Sequence, residues 1–271
     1  SALAALGGFR DDDLVLYDPL TDTATLFFDD TTGTDTISLD NINAVHLLPN
    51  GHLLLSPSGL GTATGIGAFG PQDVVQYDPI AKTTTLVFDG SEIFDDSGEN
   101  IDAIYFLDNG DLLFSTEDSA SIGSLSWVMS DLIQYDVSES SANYYIRGNR
   151  SDMFELPNST LLSGAYLRVN SSNATEVTDT LAFTSLNDFT RVGIGGDPVL
   201  GTVTTRDDIG EINIQTGSDT EYFSDNVFLG NSNPGVFSST GSPNRDAVRA
   251  IDALHIVEEG YMGHFAITQS A

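Results

Sequence analysis

"NIDAIYFLDNGDLLFST", Asn100 to Thr116, is the stretch that decides the fold. Two apolar runs flank Asp108-Asn109-Gly110. Asn-Gly between such runs is the strongest short-range hairpin signal, because both residues accept positive φ. Nearly the same text recurs as "NINAVHLLPNGHLLLSP" from Asn41 and "AIDALHIVEEGYMGHFAIT" from Ala250. In each copy an acid or amide stands at the head of an apolar strand: Asn43, Asp102 and Asp252.

A second hairpin alternates with the first. It reads "DLVLYDPLTDTATLFFD" from Asp13, "DVVQYDPIAKTTTLVFD" from Asp73 and "DLIQYDVSESSANYYIR" from Asp131, with a degenerate copy from Asp208. β-Branched and aromatic residues run into a Tyr-Asp step, a polar turn follows, and a Thr-rich or aromatic strand returns. Joined, the two hairpins make a four-stranded unit, with strands A to D. The C-terminal first hairpin lacks a second, and the N-terminal second hairpin lacks a first, so the two ends predict one shared sheet. Pairing the ends would also remove an exposed edge. No segment carries a helical period over a useful length.

Repeat length, four-strand grammar and complementary ends resemble β-propeller proteins. The likeness is to an architecture and not to one family, and it implies a single domain over residues 1–271. Two weaker units are read between Arg147 and Asp252, starting at Asp152 ("SDMFELPNSTLLSGAYLRV") and Asp188 ("NDFTRVGIGGDPVLGTVTT"). The expectation is therefore an all-β, five-bladed propeller. Four blades with an insertion is the alternative count.

Forty acids against nine bases give a net charge of −31. Such a field argues against nucleic acid and anionic membrane as partners, and no apolar run is long enough for a membrane helix. The hydrophobic fraction of 40% is that of a folded chain and excludes a disordered tail. Cysteine is absent, which excludes disulfides, thiolate metal sites and cysteine nucleophiles. Charge and cysteine content together suit an exported, extracellular or cell-surface protein; the cytoplasm of a halophile would suit them too.

In a propeller, strand A lines the axis and its first residue sits where the long D–A loop arrives. Asn43, Asp102, Asp152, Asp188 and Asp252 are thus expected as a ring of oxygen side chains at the axial mouth. Like charges that close need protons or a cation, and calcium, which takes 6–8 oxygen ligands, is the expected cofactor. The competing reading is that each caps a turn by accepting backbone N–H groups. Turn formation is also the reading for Asp13, Asp73, Asp131 and Asp208, at the start of strand C. The loop acids Asp89, Glu92, Asp95, Asp96 and Glu99 could hold calcium locally, but lack EF-hand spacing. His46 and His255 occupy matching positions in strand A, as His52 and His264 do in strand B, which points first to shared packing.

Loops B–C and D–A are long and gather at one end, so that end is the expected recognition face for a small molecule, glycan or protein. Trp127, the sole tryptophan, is the expected ligand contact there. The leading expectation is a non-catalytic binding or scaffold module. A propeller hydrolase of glycosidase type, using the axial aspartates, is the first alternative. A structural repeat module of a larger surface protein is the second.

Overall fold

The computed structural model describes residues 10, 12–18, 21, 23–29, 36–96 and 99–150, and beyond these the strands from Phe154–Glu155 to His264–Gln269. The chain is all-β, with several antiparallel sheets. The second sheet holds strands A (Ile42–Leu47), B (Leu53–Pro57), C (Val74–Asp78) and D (Thr83–Phe88), hydrogen-bonded in that order. The third repeats it with Ile101–Phe106, Leu112–Thr116, Leu132–Asp136 and Ser141–Ile146. In the first sheet the two chain ends meet. Strands A and B (Ile251–Val257, His264–Gln269) come from the C-terminal part, and C and D (Leu14–Asp18, Thr23–Phe28) from the N-terminal part. Val15 pairs Ile267 and Tyr17 pairs Phe265 across that seam.

The turns explain the local register. Gly51 and Gly110 lie at φ +85° and +94°, while Asn50 and Asn109 keep negative φ. Only the glycine of each Asn-Gly pair is therefore left-handed. Gly51 N–H donates to Leu48 C=O and Leu48 N–H to His52 C=O, a three-residue hairpin with a glycine bulge, and Leu107 to Asp111 repeats it. At the C–D turns the Asp78 carboxylate accepts the N–H groups of Ile80 and Ala81. Asp136 does the same for Ser138 and Glu139. The Tyr-Asp step is thus an Asx turn.

Burial falls from the axis outward. Strand B of the second sheet is buried throughout, whereas strand D is exposed at three of its six positions. That is why strand B opens with the consecutive apolar residues Leu53 to Leu55: both of its faces are covered. One cluster packs Leu14 and Phe28 of the first sheet against Val45, Leu55, Val75 and Tyr77 of the second. Another packs Ala44, Leu54 and Phe88 of the second against Ile104, Phe114 and Tyr135 of the third. Sheets packed face to face with a shared seam give a β-propeller-type architecture.

The expected fourth and fifth units are arranged otherwise. The strands after Asp152 and Asp188 are Phe154–Glu155 and Phe189–Val192, and they are direct neighbours in one sheet, with Glu155 opposite Val192. They are not two separate inner strands. The strand that packs between Ile101–Phe106 and Ile251–Val257 is Leu162–Arg168. It is strand A of a fourth sheet, continued by Thr180–Ser185, Ile209–Asn213 and Asp219–Phe223. Strands A of the four sheets neighbour one another in cyclic order, the fourth lying against the first.

Three further sheets occupy the long connections. Ile37–Ser38 joins the hairpin Gly61–Ala63 and Gly67–Phe69, and Ala120–Ile122 pairs with Leu125–Trp127. Asn149–Arg150 and Phe154–Glu155 join the hairpin of Phe189–Val192 and Pro198–Thr204. In each of these three units the B–C connection carries a hairpin of its own, so the loop face is a built layer.

Candidate functional site

Each inner strand is irregular at one place. In the second sheet Ile42 pairs Pro57 and Ala44 pairs Ser56, which leaves Asn43 as an extra residue. In the third, Ile101 pairs Thr116 and Ala103 pairs Ser115, which leaves Asp102. In the fourth, Ser163 is left between Leu162 and Gly164 in the same way. In the first, the pairing shifts between Ile251 and Leu254, the stretch that carries Asp252. A bulge re-aims a side chain and ends regular pairing. An apolar hairpin thus begins with a polar residue at the place where strand A has one residue more than strand B can pair.

Where side chains are described, the bulge residues meet. The Asn43 amide donates to the Asp102 carboxylate and, at 3.0 Å, to Ile101 C=O. Asn43 is 8% exposed and Asp102 1%. The two hydrogen bonds fix the amide with its N–H groups toward Asp102. Three positions further along the same strands His46 lies edge-on to Tyr105, with ring centroids 4.6 Å apart. Burial holds the His46 pKa down at about 3, so the imidazole is neutral at physiological pH. The matching positions in the fourth and first sheets are Tyr166 and His255 by register.

Of the residues expected in a metal ring, the structure describes the side chains of two. Asn43 and Asp102 come together, and Asp252 falls at the corresponding bulge. Asp152 and Asp188 lie outside the described residues, and the strands that follow them belong to a loop-borne sheet. Ser163 holds the remaining inner-strand position. For calcium the described pair supplies one carboxylate and an amide nitrogen where the ion needs an oxygen. Among the described residues no group of three or more His, Asp or Glu side chains is placed to hold a metal ion.

Three of the acids at the head of strand C are structural; the fourth, Asp208, lies outside the described residues. Asp73 accepts the N–H groups of Gly70 at 2.7 Å and Gly90 at 2.9 Å. Asp131 accepts those of Val128 at 3.1 Å and Gly148 at 2.9 Å. Each carboxylate ties the turn before strand C to the chain leaving strand D. Asp13 accepts Arg10 N–H at 2.7 Å. Its pKa is raised by burial first, then by Asp12 and Asp29, with the Arg10 hydrogen bond and charge opposing.

Trp127, expected as a ligand contact, is 2% exposed. Its indole donates to Thr116 Oγ1 at 2.9 Å, and its ring packs on Phe94 and Phe114. It is a core residue that pins the B–C hairpin to the sheet. Sequence reasoning missed two features of the loop face. One is a groove of about 360 Å³ lined by Thr36, Ile37, Ser38, Thr62, Ala63 and Thr64. The threonine-rich stretches Thr34-Asp35-Thr36 and Thr62-Ala63-Thr64 were the available signal. The other is Ser163, hidden because "LSGAYL" has small residues where the other copies have Ile, Val or Leu.

No protein-family model and no curated protein matches the chain. Among solved structures, a streptogramin B lyase aligns with TM-score 0.38 and 12% identity, covering 96% of this chain and 70% of that one. A virginiamycin B lyase from Staphylococcus aureus aligns at 0.39 and 8%, covering 96% and 89%. An auxiliary nutrient binding protein from Bacteroides thetaiotaomicron aligns at 0.35 and 12%, covering 94% and 56%. Likenesses this distant carry no argument about chemistry. No described helix is long and apolar enough to cross a membrane.

Proposed function

We propose that the chain is a non-catalytic, exported binding or scaffold module, built as a four-bladed propeller whose long-loop face is the recognition surface. The observation that carries this is the coincidence of irregularities on all four inner strands, with Asn43, Asp102, Ser163 and Asp252 at the corresponding places. A merely structural hairpin start has no need of a bulge in every copy. The Asn43–Asp102 pair, with Ser163 and Asp252 at the matching strand positions, would suit a small polar ligand that supplies donors, or a cation. Calcium is the first ligand to test, and binding it would require the Asn43 amide to turn so that its oxygen faces inward. The loop-borne hairpins and the threonine-lined groove give a glycan, small molecule or protein a rigid surface.

The test is calorimetric titration of calcium chloride into chelator-treated protein, with melting curves of the wild type and of Asp102→Asn and Asp252→Asn. The reading expects saturable binding and a rise in melting temperature that both variants abolish. Unchanged heats and melting curves in all three proteins would remove the ion. A glycan array in which binding survives both substitutions would remove the axial mouth as the ligand site.

A further inference from the structure

We propose that the junction of the D–A and B–C loops in the third sheet binds an organic cation, a primary ammonium or a guanidinium, with Glu99 as its floor and Asp96 and Asp118 as its rim. The two loops are laced together there. Glu117 N–H donates to Asn100 C=O at 2.9 Å, Asp95 N–H to Ser121 C=O at 3.0 Å, and the Asn100 amide to the Glu117 carboxylate. Glu99 is 8% exposed, and its Oε2 is buried with no hydrogen-bond partner. Asp96 and Asp118 are exposed. Burial raises the Glu99 pKa first, and the charges of Asp118 and then Asp96 raise it further, so both rim carboxylates act on the buried one.

The matching junction of the second sheet shows what is special here. Ser58 N–H donates to Asn41 C=O, the counterpart of Glu117 and Asn100. Asp40 takes the place of Glu99, and Gly59 that of Asp118. The Asp40 carboxylate lies so near Gly59 that a Cβ there would stand 2.3 Å from Oδ2. Where the second sheet lets one acid rest on a glycine, the third sets a second acid against a buried one. A buried carboxylate without a hydrogen bond is costly unless a cation arrives.

The lysine and arginines whose side chains are described are engaged elsewhere. Arg10 pairs with Asp12, Lys82 lies 5.9 Å from the Tyr77 ring centroid, and Arg147 lies over Tyr144. A metal ion needs its oxygens converged on a shell of roughly 2.3–2.6 Å, and no described trio does that. An ammonium has three divergent N–H donors and a guanidinium a planar fork, and either can meet carboxylates set further apart.

This inference rests on the loop face being accessible and not on the axial mouth. The experiment is titration, at near-physiological salt, of N-acetyl-lysine methylamide and N-acetyl-arginine methylamide, with N-acetyl-norleucine methylamide as the neutral control. Wild type is compared with Glu99→Gln, Asp118→Asn, Glu139→Gln and Asp102→Asn. One of the two cations should bind one to one and the neutral control should not. Affinity should fall at least tenfold in Glu99→Gln and Asp118→Asn and stay level in the other two. It should also weaken as pH falls and Glu99 takes up its proton. Glu99→Gln should melt at or above the wild-type temperature, because it removes a buried charge. Four results would overturn the proposal: no saturable binding, equal losses in Glu139→Gln, stoichiometric displacement by calcium, or unfolding of Glu99→Gln. Loss of the axial ligand in Asp102→Asn with this site intact would separate the two readings.

Discussion

Replacing Asp73 tests the account of how the sheets are tied together. Its carboxylate holds two backbone N–H groups, Gly70 at 2.7 Å and Gly90 at 2.9 Å, and the residue is 5% exposed. Hydrogen bonds to a charged acceptor contribute about 1.5–3 kcal/mol each, and a buried donor left without a partner costs about as much as the bond it loses. Asp73→Ala removes both bonds at once, so a loss of about 3–5 kcal/mol is expected. Asp73→Asn keeps one acceptor oxygen but turns an amide N–H against the other donor, so about 2 kcal/mol is expected. Urea unfolding followed by circular dichroism should show lower midpoints in the order wild type, Asn, Ala, with unchanged slopes. The series in Asp131 should match it, since Val128 and Gly148 repeat the geometry. If Asp73→Ala lost less than about 1 kcal/mol at constant slope, the carboxylate would not be a tie.

Three further outcomes follow from the same geometry. His46 is neutral in the fold down to a pKa of about 3 but takes a proton near 6.5 when unfolded. Stability is therefore untouched above pH 6.5 and falls below it; between pH 6.5 and 5 the loss is about 2 kcal/mol, and His46→Phe should remove that slope in urea titrations. Trp127→Ala should cost about 3–5 kcal/mol and Trp127→Phe about 1–2, the second for the lost bond to Thr116, while ligand affinity measured in the folded variants stays level. Gly90→Ala would place a Cβ 2.0 Å from Gln72 C=O, and Gly51→Ala would meet nothing but sits at φ +85°. Melting curves should show the first losing more than the second, whose cost is about 1–2 kcal/mol of left-handed strain.

Much of the architecture was legible because it is repeated. Asn-Gly turns, Tyr-Asp steps and two incomplete terminal hairpins each state a local rule, and the Val15–Ile267 pairing follows from their sum. Of each Asn-Gly pair only the glycine takes positive φ, because a three-residue hairpin needs one left-handed position. Asp13, Asp73 and Asp131, at the head of strand C, form turns as their sequence position suggests. Their reach to Gly90 and Gly148 was not legible, since nothing in a sequence reports a contact 17 residues away. Trp127 was placed on the surface by the common habit of tryptophan at binding faces, yet its indole N–H had a partner in the core.

Inner strands can be sought by two different criteria. Polar strand starts point to Asp152 and Asp188, which lie outside the described residues, because an aspartate ahead of an apolar run is the visible signal. The structure uses a different criterion, the residue left over when strand A pairs strand B. By that criterion the aligned segments are Asn43 to Leu47, Asp102 to Phe106, Ser163 to Leu167 and Asp252 to Ile256, or "NAVHL", "DAIYF", "SGAYL" and "DALHI". The second residue is small in all four. A Cβ larger than a methyl there would crowd neighbouring inner strands, and Ala44 and Ala103 are each fully buried. The fourth residue is His, Tyr, Tyr, His, and of these His46 and Tyr105 touch. The size constraint at the second position, and not the charge at the first, is what identifies an inner strand. Any further copy in the chain would have to satisfy it, and neither the stretch after Asp152 nor that after Asp188 does, since Met153 and Phe189 stand there.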